Sequence, residues 1–165
     1  MSEYSQARSE PEWVHGHRHD PNPEPPLGSP EIIVHLPNGA VSRLDISTLH
    51  LLPYREFGDC YIVSTGHGTS GPFVFGGVLL ADLLAHLLPD AATWQSVDVV
   101  SGDGFGARLT PADLTDSSTG RLPLLAYRLD GAEMSRQAGL VRLIVPTETE
   151  DALKQVKWVA RIEIH

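Results

Sequence analysis

The residues best suited to chemistry are one histidine among glycines, one aspartate in a glycine turn, and one arginine in an apolar run. His67 stands in Gly66-His67-Gly68-Thr69-Ser70-Gly71. It lies off any apolar face, where an imidazole can move a proton or touch a ligand near neutral pH. The same residues equally suit a plain glycine-rich turn. The spacing matches GxGxxG, but Pro72-Phe73-Val74-Phe75 follows. That run is extended in character, whereas a dinucleotide site needs a helix N-terminus to receive the pyrophosphate. Ser70 is not in a GxSxG elbow, and no Ser-His-Asp order is readable. Asp103, in Gly102-Asp103-Gly104-Phe105-Gly106, could assist His67; the favoured reading is a turn aspartate capping its own backbone.

Arg142 is the second residue of the apolar run Val141-Arg142-Leu143-Ile144-Val145. A guanidinium there must reach solvent, a carboxylate or an anionic ligand, and an internal ion pair or an edge position would also satisfy it. Lys154 and Lys157 are the only lysines, both at the entry to the last strand. Cys60 is the only cysteine, which excludes an intramolecular disulfide and a CxxC-type zinc site. His15, His17 and His19 alternate near the N-terminus. No second ligand cluster lies nearby to close a metal site, so they read as a solvated tail, and no metal ligand set is expected.

These residues must be carried by one domain, since 165 residues leave little room for a second core. With 41% hydrophobic and 20% charged residues the chain is globular. A net charge of -9 argues against a nucleic-acid binder that works by neutralising phosphates. No run approaches the length of a membrane span and no apolar signal core opens the chain, so a cytoplasmic protein is expected. Residues 1–30 hold six of the 13 prolines and read as a disordered leader, with the folded domain over 31–165.

Within the domain, residues 31–46 predict a hairpin turning at Asn38-Gly39. A short helical turn follows near 47–53, then a strand over Cys60–Thr65. Leu79, Leu80, Leu83, Leu84, Leu87 and Leu88 predict a helix over 78–88 that Pro89 ends. Further strands are expected over Val97–Ser101, Leu124–Leu129, Val141–Pro146 and Trp158–Ile164. In the last, Trp158, Ala160, Ile162 and Ile164 share one face. Strands outnumber helices, so the fold class is α+β, a mostly-β single domain.

Five segments in order resemble the oxidoreductase molybdopterin-binding domain of sulfite-oxidase-type enzymes. They are Phe75-Gly76-Gly77-Val78-Leu79-Leu80-Ala81-Asp82-Leu83-Leu84, Val99 to Phe105, Leu124 to Gly131, Gly139 to Pro146, and Val156 to Ile162. They match that family's W-x-G-v-x-L-x-d-L-L, strand-then-D-G-Y, l-A-Y-x-l-d-G, G-x-P-l-R-L-v-v-P and v-K-w-v-x-x-I patterns. The resemblance implies a sulfite-oxidase-type molybdopterin-binding fold and an anionic pterin cofactor. It further implies that Arg142 and Lys157 contact the pterin phosphate or nearby groups, with Ser101 and Gln137 as weaker carry-overs. Two cations on one anion is what phosphate recognition needs.

One departure stands out. The family binds molybdenum through a cysteine thiolate whose position here falls at Ser64 or Thr65, about five residues after Cys60. A hydroxyl is a poor substitute for a soft thiolate, and Cys60 reads as a small buried residue. The loop Gly66–Pro72 is expected over the cofactor mouth, carrying His67 towards it.

Three readings follow. The first in rank is a cofactor-free enzyme of cyclase or isomerase type on a small-molecule substrate. His67 would be its acid/base, Asp103 would assist, and Thr65, Ser101, Gln137, Arg142 and Lys157 would bind the ligand. The second is a molybdopterin-dependent oxidoreductase in which Arg142 and Lys157 hold the phosphate. The third is a non-catalytic pterin- or anion-binding module. No nucleic-acid or membrane partner is expected; a homo-oligomer or a redox partner subunit is left open.

Overall fold

A computed structural model describes residues 31–64, 68–88, 93–115, 121–135, 140–145 and 155–165. The leader 1–30 lies outside them, as do Thr65, His67 and Gln137.

Two sheets face each other. The first has five strands in the order β2-β1-β10-β5-β6: β1 is Ile32–His35, β2 Val41–Leu44, β5 Val97–Ser101, β6 Gly106–Leu109 and β10 Val159–Ile164. β1 and β10 run parallel, and the other pairs are antiparallel. The second sheet is built on β3 (Arg55–Ser64), β4 (Gly68–Leu79) and β7 (Leu124–Leu129), with β8 (Ala132–Glu133) and β9 (Arg142–Ile144) both paired to β7. Among the described residues three short helices sit in connections: α1 (Ile46–His50), α2 (Leu80–Leu87) and α3 (Pro111–Thr115).

Alternation along the strands divides the apolar residues into two clusters. The larger lies between the sheets and includes Ile32, Val34, Val97, Val99, Ile162 and Ile164 from the first sheet, and Val78, Leu125, Tyr127 and Leu143 from the second. Leu49, Leu83, Leu84 and Leu114 seal it from the helices. The other cluster, on the opposite face of the second sheet, holds Phe57, Cys60, Phe75, Leu79, Leu124, Ala126, Met134 and Ile144. Gly77 makes the second sheet close-packed: a Cβ there would collide with the backbone of Leu125 and Ala126 on β7.

Several boundaries differ from expectation. The strand expected to start at Cys60 starts at Arg55, so Cys60 is a mid-strand residue. The polar start hid it, and register shifts on both sides of Cys60 break its alternation. Residues 68–72, expected as loop, open β4, with Gly68 opposite Ser64. No helix follows Gly71, in keeping with the exclusion of a dinucleotide fold. The helix over 78–88 is shorter, because Val78 and Leu79 remain in β4. The hairpin forms, but only Gly39 of its turn takes positive φ, at 89°, while the Asn38 carboxamide oxygen accepts the Ala40 N–H at 2.9 Å. Strand 141–146 shrinks to Arg142–Ile144. In β10 the register shifts between Val159 and Arg161, so Val159, not Ala160, joins the core; Trp158 lies before the strand.

Candidate functional site

Arg142 and Lys157 come together because the chain crosses between the sheets beside them. Leu143, next to Arg142, forms an antiparallel bridge with Val156, next to Lys157. Leu143 N–H donates to Val156 O at 2.7 Å and Val156 N–H to Leu143 O at 3.1 Å. Three residues on, Val159 pairs with Ser101 in the first sheet, and its N–H donates to Val141 O at 2.9 Å. Residues 156–159 therefore join the two sheets, and Lys157 lies in the crossing.

Each cation rests on an aromatic ring. The guanidinium carbon of Arg142 is 5.9 Å from the ring centroid of Phe75, a fully buried residue. The Lys157 ammonium is 4.2 Å from that of Trp158. A cation over a ring face is stabilised by the ring quadrupole, more so when partly desolvated. Both cations are half-buried. Burial pulls Arg142 down to about 10. Lys157 is lowered from its usual range, first by burial and then by the Arg142 charge, while Asp103 acts in the opposite sense. The two cations repel each other in a place where water screens them less than at the surface.

Ser101 and Asp103 form the turn on the other side of Lys157. Asp103 N–H donates to Ser101 Oγ at 3.2 Å, Gly104 N–H to Ser101 O at 3.0 Å, and Phe105 N–H to Asp103 Oδ1 at 3.0 Å. These are the bonds of a turn aspartate, as the favoured sequence reading has it. The Asp103 charge in this turn acts on Lys157, and Ser101 in the same turn is buried.

Cys60 sits elsewhere. Its side chain is 1% exposed, within the cluster that includes Phe57, Phe75 and Ala126. The thiol donates to Phe57 O at 3.3 Å and Gly58 O at 3.5 Å. Burial pushes its pKa up, and the Arg121 charge offsets this in part. Arg121 Nη2 lies 3.7 Å from the sulfur and donates to Gly58 O at 2.7 Å and Asp59 O at 3.3 Å. That guanidinium ties down the irregular stretch where Asp59 takes φ 51°.

Residues 54–165 match the family model for the oxidoreductase molybdopterin binding domain. The chain belongs to that family. Its fold is similar to that of the sulfane dehydrogenase SoxCD from Paracoccus pantotrophus, with a TM-score of 0.60 and 19% identity. The match covers 82% of this chain and 38% of that one, so the domain spans well under half of its structural neighbour. No curated protein matches it in sequence. The sulfite-oxidase-type molybdopterin-binding fold expected from the five segments is the fold observed.

Sequence reasoning placed Arg142 and Lys157 but not what holds them. Phe75 stands where the family pattern W-x-G has its tryptophan, and Trp158 is expected only as a residue of the last strand. A bulky aromatic directly after an isolated lysine was the one local signal for the second. Among the described residues no three of His, Cys, Asp and Glu gather to hold a metal ion, and no helix is long and apolar enough to cross a membrane.

Proposed function

We propose that this domain binds a pterin-type ligand by its phosphate, with Arg142 and Lys157 as the anion contacts. The supporting observation is the placement of two half-buried cations one step from the Leu143–Val156 bridge. Like charges on neighbouring backbone positions are destabilising, and an anion between them turns mutual repulsion into two charge-assisted contacts. Arg142 offers a planar fork for two phosphate oxygens, and Lys157 a compact charge. On the Lys157 side Asp103 counteracts part of the lowering that burial and Arg142 impose on Lys157, and Ser101 is assigned to the same end of the site. Thr65 and Gln137 remain candidates for the rest of the ligand.

The fit ends at the metal. The chain's only cysteine is used as a buried hydrogen-bond donor to two backbone carbonyls. Its raised pKa favours the thiol, whereas a soft metal requires the thiolate. A protein-held molybdenum does not suit this residue set, and no redox step is assigned to it. The cyclase or isomerase reading, with His67 as acid/base, draws no support from the family or its structural neighbour.

The test is pterin and metal analysis of protein purified from a host that makes the cofactor. Oxidised-pterin fluorescence near one equivalent, lost in Arg142→Met/Lys157→Met, is expected. Well-folded protein without pterin would assign the cation pair to another anion. Stoichiometric molybdenum that disappears in Cys60→Ala would overturn the placement of Cys60.

A further inference from the structure

Trp158 has φ 54°, a left-handed conformation that a bulky aromatic residue rarely adopts. Such a conformation persists only where the surroundings over-determine it. Here they do. Trp158 O accepts the Gly102 N–H at 2.9 Å, and the next residue's N–H donates to Val141 O at 2.9 Å. The conformation turns the chain sharply from its bridge with Leu143 in one sheet to its pairing with Ser101 in the other.

Glycine would make this turn without the steric penalty. The position instead carries a bulky side chain that rarely adopts it, and the one that offers the best face to a cation. Trp158 is 4% exposed, so the indole is held in place as well as turned. Its ring face meets the Lys157 ammonium at 4.2 Å.

We infer that Trp158 is a positioning residue for Lys157, its left-handed backbone laying the indole against the ammonium and holding that charge beside Arg142. The inference deepens the proposed anion site and rests on it. A flexible lysine with four rotatable bonds loses much rotamer freedom when fixed. A ring fixed by its own backbone removes part of that cost before the anion arrives.

The experiment measures inorganic phosphate affinity by titration calorimetry for Trp158→Phe, Trp158→Leu and Trp158→Gly, each alone and combined with Lys157→Met. Phenylalanine keeps a ring and is expected within about 2-fold of the parent, while leucine weakens binding roughly 5-fold. Glycine relieves the backbone but removes the ring, so it is expected to behave like leucine. In the Lys157→Met background all three should be silent. An undiminished leucine effect in that background would make Trp158 merely structural and overturn the inference.

A second readout uses the parent protein alone: ring-current displacement of the Lys157 side-chain NMR resonances, expected to be present. Its absence would sink the inference even if Lys157→Met weakens binding. If the displacement is present but Lys157→Met leaves phosphate affinity unchanged, the anion site fails while the indole–ammonium contact stands.

Discussion

Leu143 and Val156 bond to each other in both directions, and this one bridge sets Arg142 and Lys157 side by side. The pair has a pH signature. Lys157 is lowered in the free protein by burial and by Arg142, and a bound anion favours its charged form. Binding therefore takes up protons as pH rises through the free-state value, and affinity falls there. Once phosphate is fully dianionic, above the neutral range, its affinity is expected to hold up to that lowered value and then drop. The drop should vanish in Lys157→Met. Calorimetry across an alkaline pH series measures it.

Arg142 and Lys157 differ in how they can be replaced. Arg142→Lys keeps the charge but loses the planar fork, and phosphate affinity is expected to fall about 10-fold. Arg142→Met removes a charge-assisted contact and should cost more, roughly 10- to 100-fold. Equal affinities for parent and Arg142→Met would remove Arg142 from the site.

The pKa of Cys60 is shifted the other way, upward. Its folded-state pKa lies above the unfolded value, so the neutral thiol favours the fold. The stabilising contribution is complete below the ordinary thiol range and is lost as pH rises through the raised value. Denaturant midpoints should decline with alkaline pH more in the parent than in Cys60→Ala. The native thiol should also react slowly with a thiol reagent, since it is buried. Rapid modification without unfolding would contradict both expectations.

Gly77 is where β4 and β7 approach most closely among the described glycines. An added Cβ meets backbone atoms of Leu125 and Ala126, which cannot swing aside. Gly77→Ala is expected to destabilise the domain by roughly 1–3 kcal/mol, as overpacking does. Chemical denaturation decides it; a neutral effect would mean the two strands separate readily.

What could be read from the sequence was local. The Leu-rich helix, the hairpin at Asn38-Gly39 and the strand Val97–Ser101 each carry their own periodicity or turn residues. Arg142 stands out as a cation in an apolar run, and Lys157 through its match to the family pattern. Gly77 was visible as part of a motif, but its reason lies across the sheet, on β7. The start of β3 was hidden for a similar cause. Gly58-Asp59 looks like a turn, and what straightens it into a bulged strand is Arg121, 63 residues beyond Gly58. The bridge between Leu143 and Val156 and the left-handed Trp158 arise where two sheets meet, and nothing in the neighbouring residues encodes them.

The strand nearest the C-terminus of the first sheet lies in its middle. β10 pairs with β1 on one side and β5 on the other, and Asp98 of β5, which receives Arg108 at 2.6 and 2.8 Å, also lies 3.1 Å from His165 Nε2. The β1–β2 hairpin and the β5–β6 pair are each built from residues near in sequence, but they join only through β10, which lies between them. Bringing together residues so distant in sequence is slow. Without β10 the sheet is left as two pairs with open edges, and the segment that leads into this closing strand is the one that carries Lys157 to Arg142.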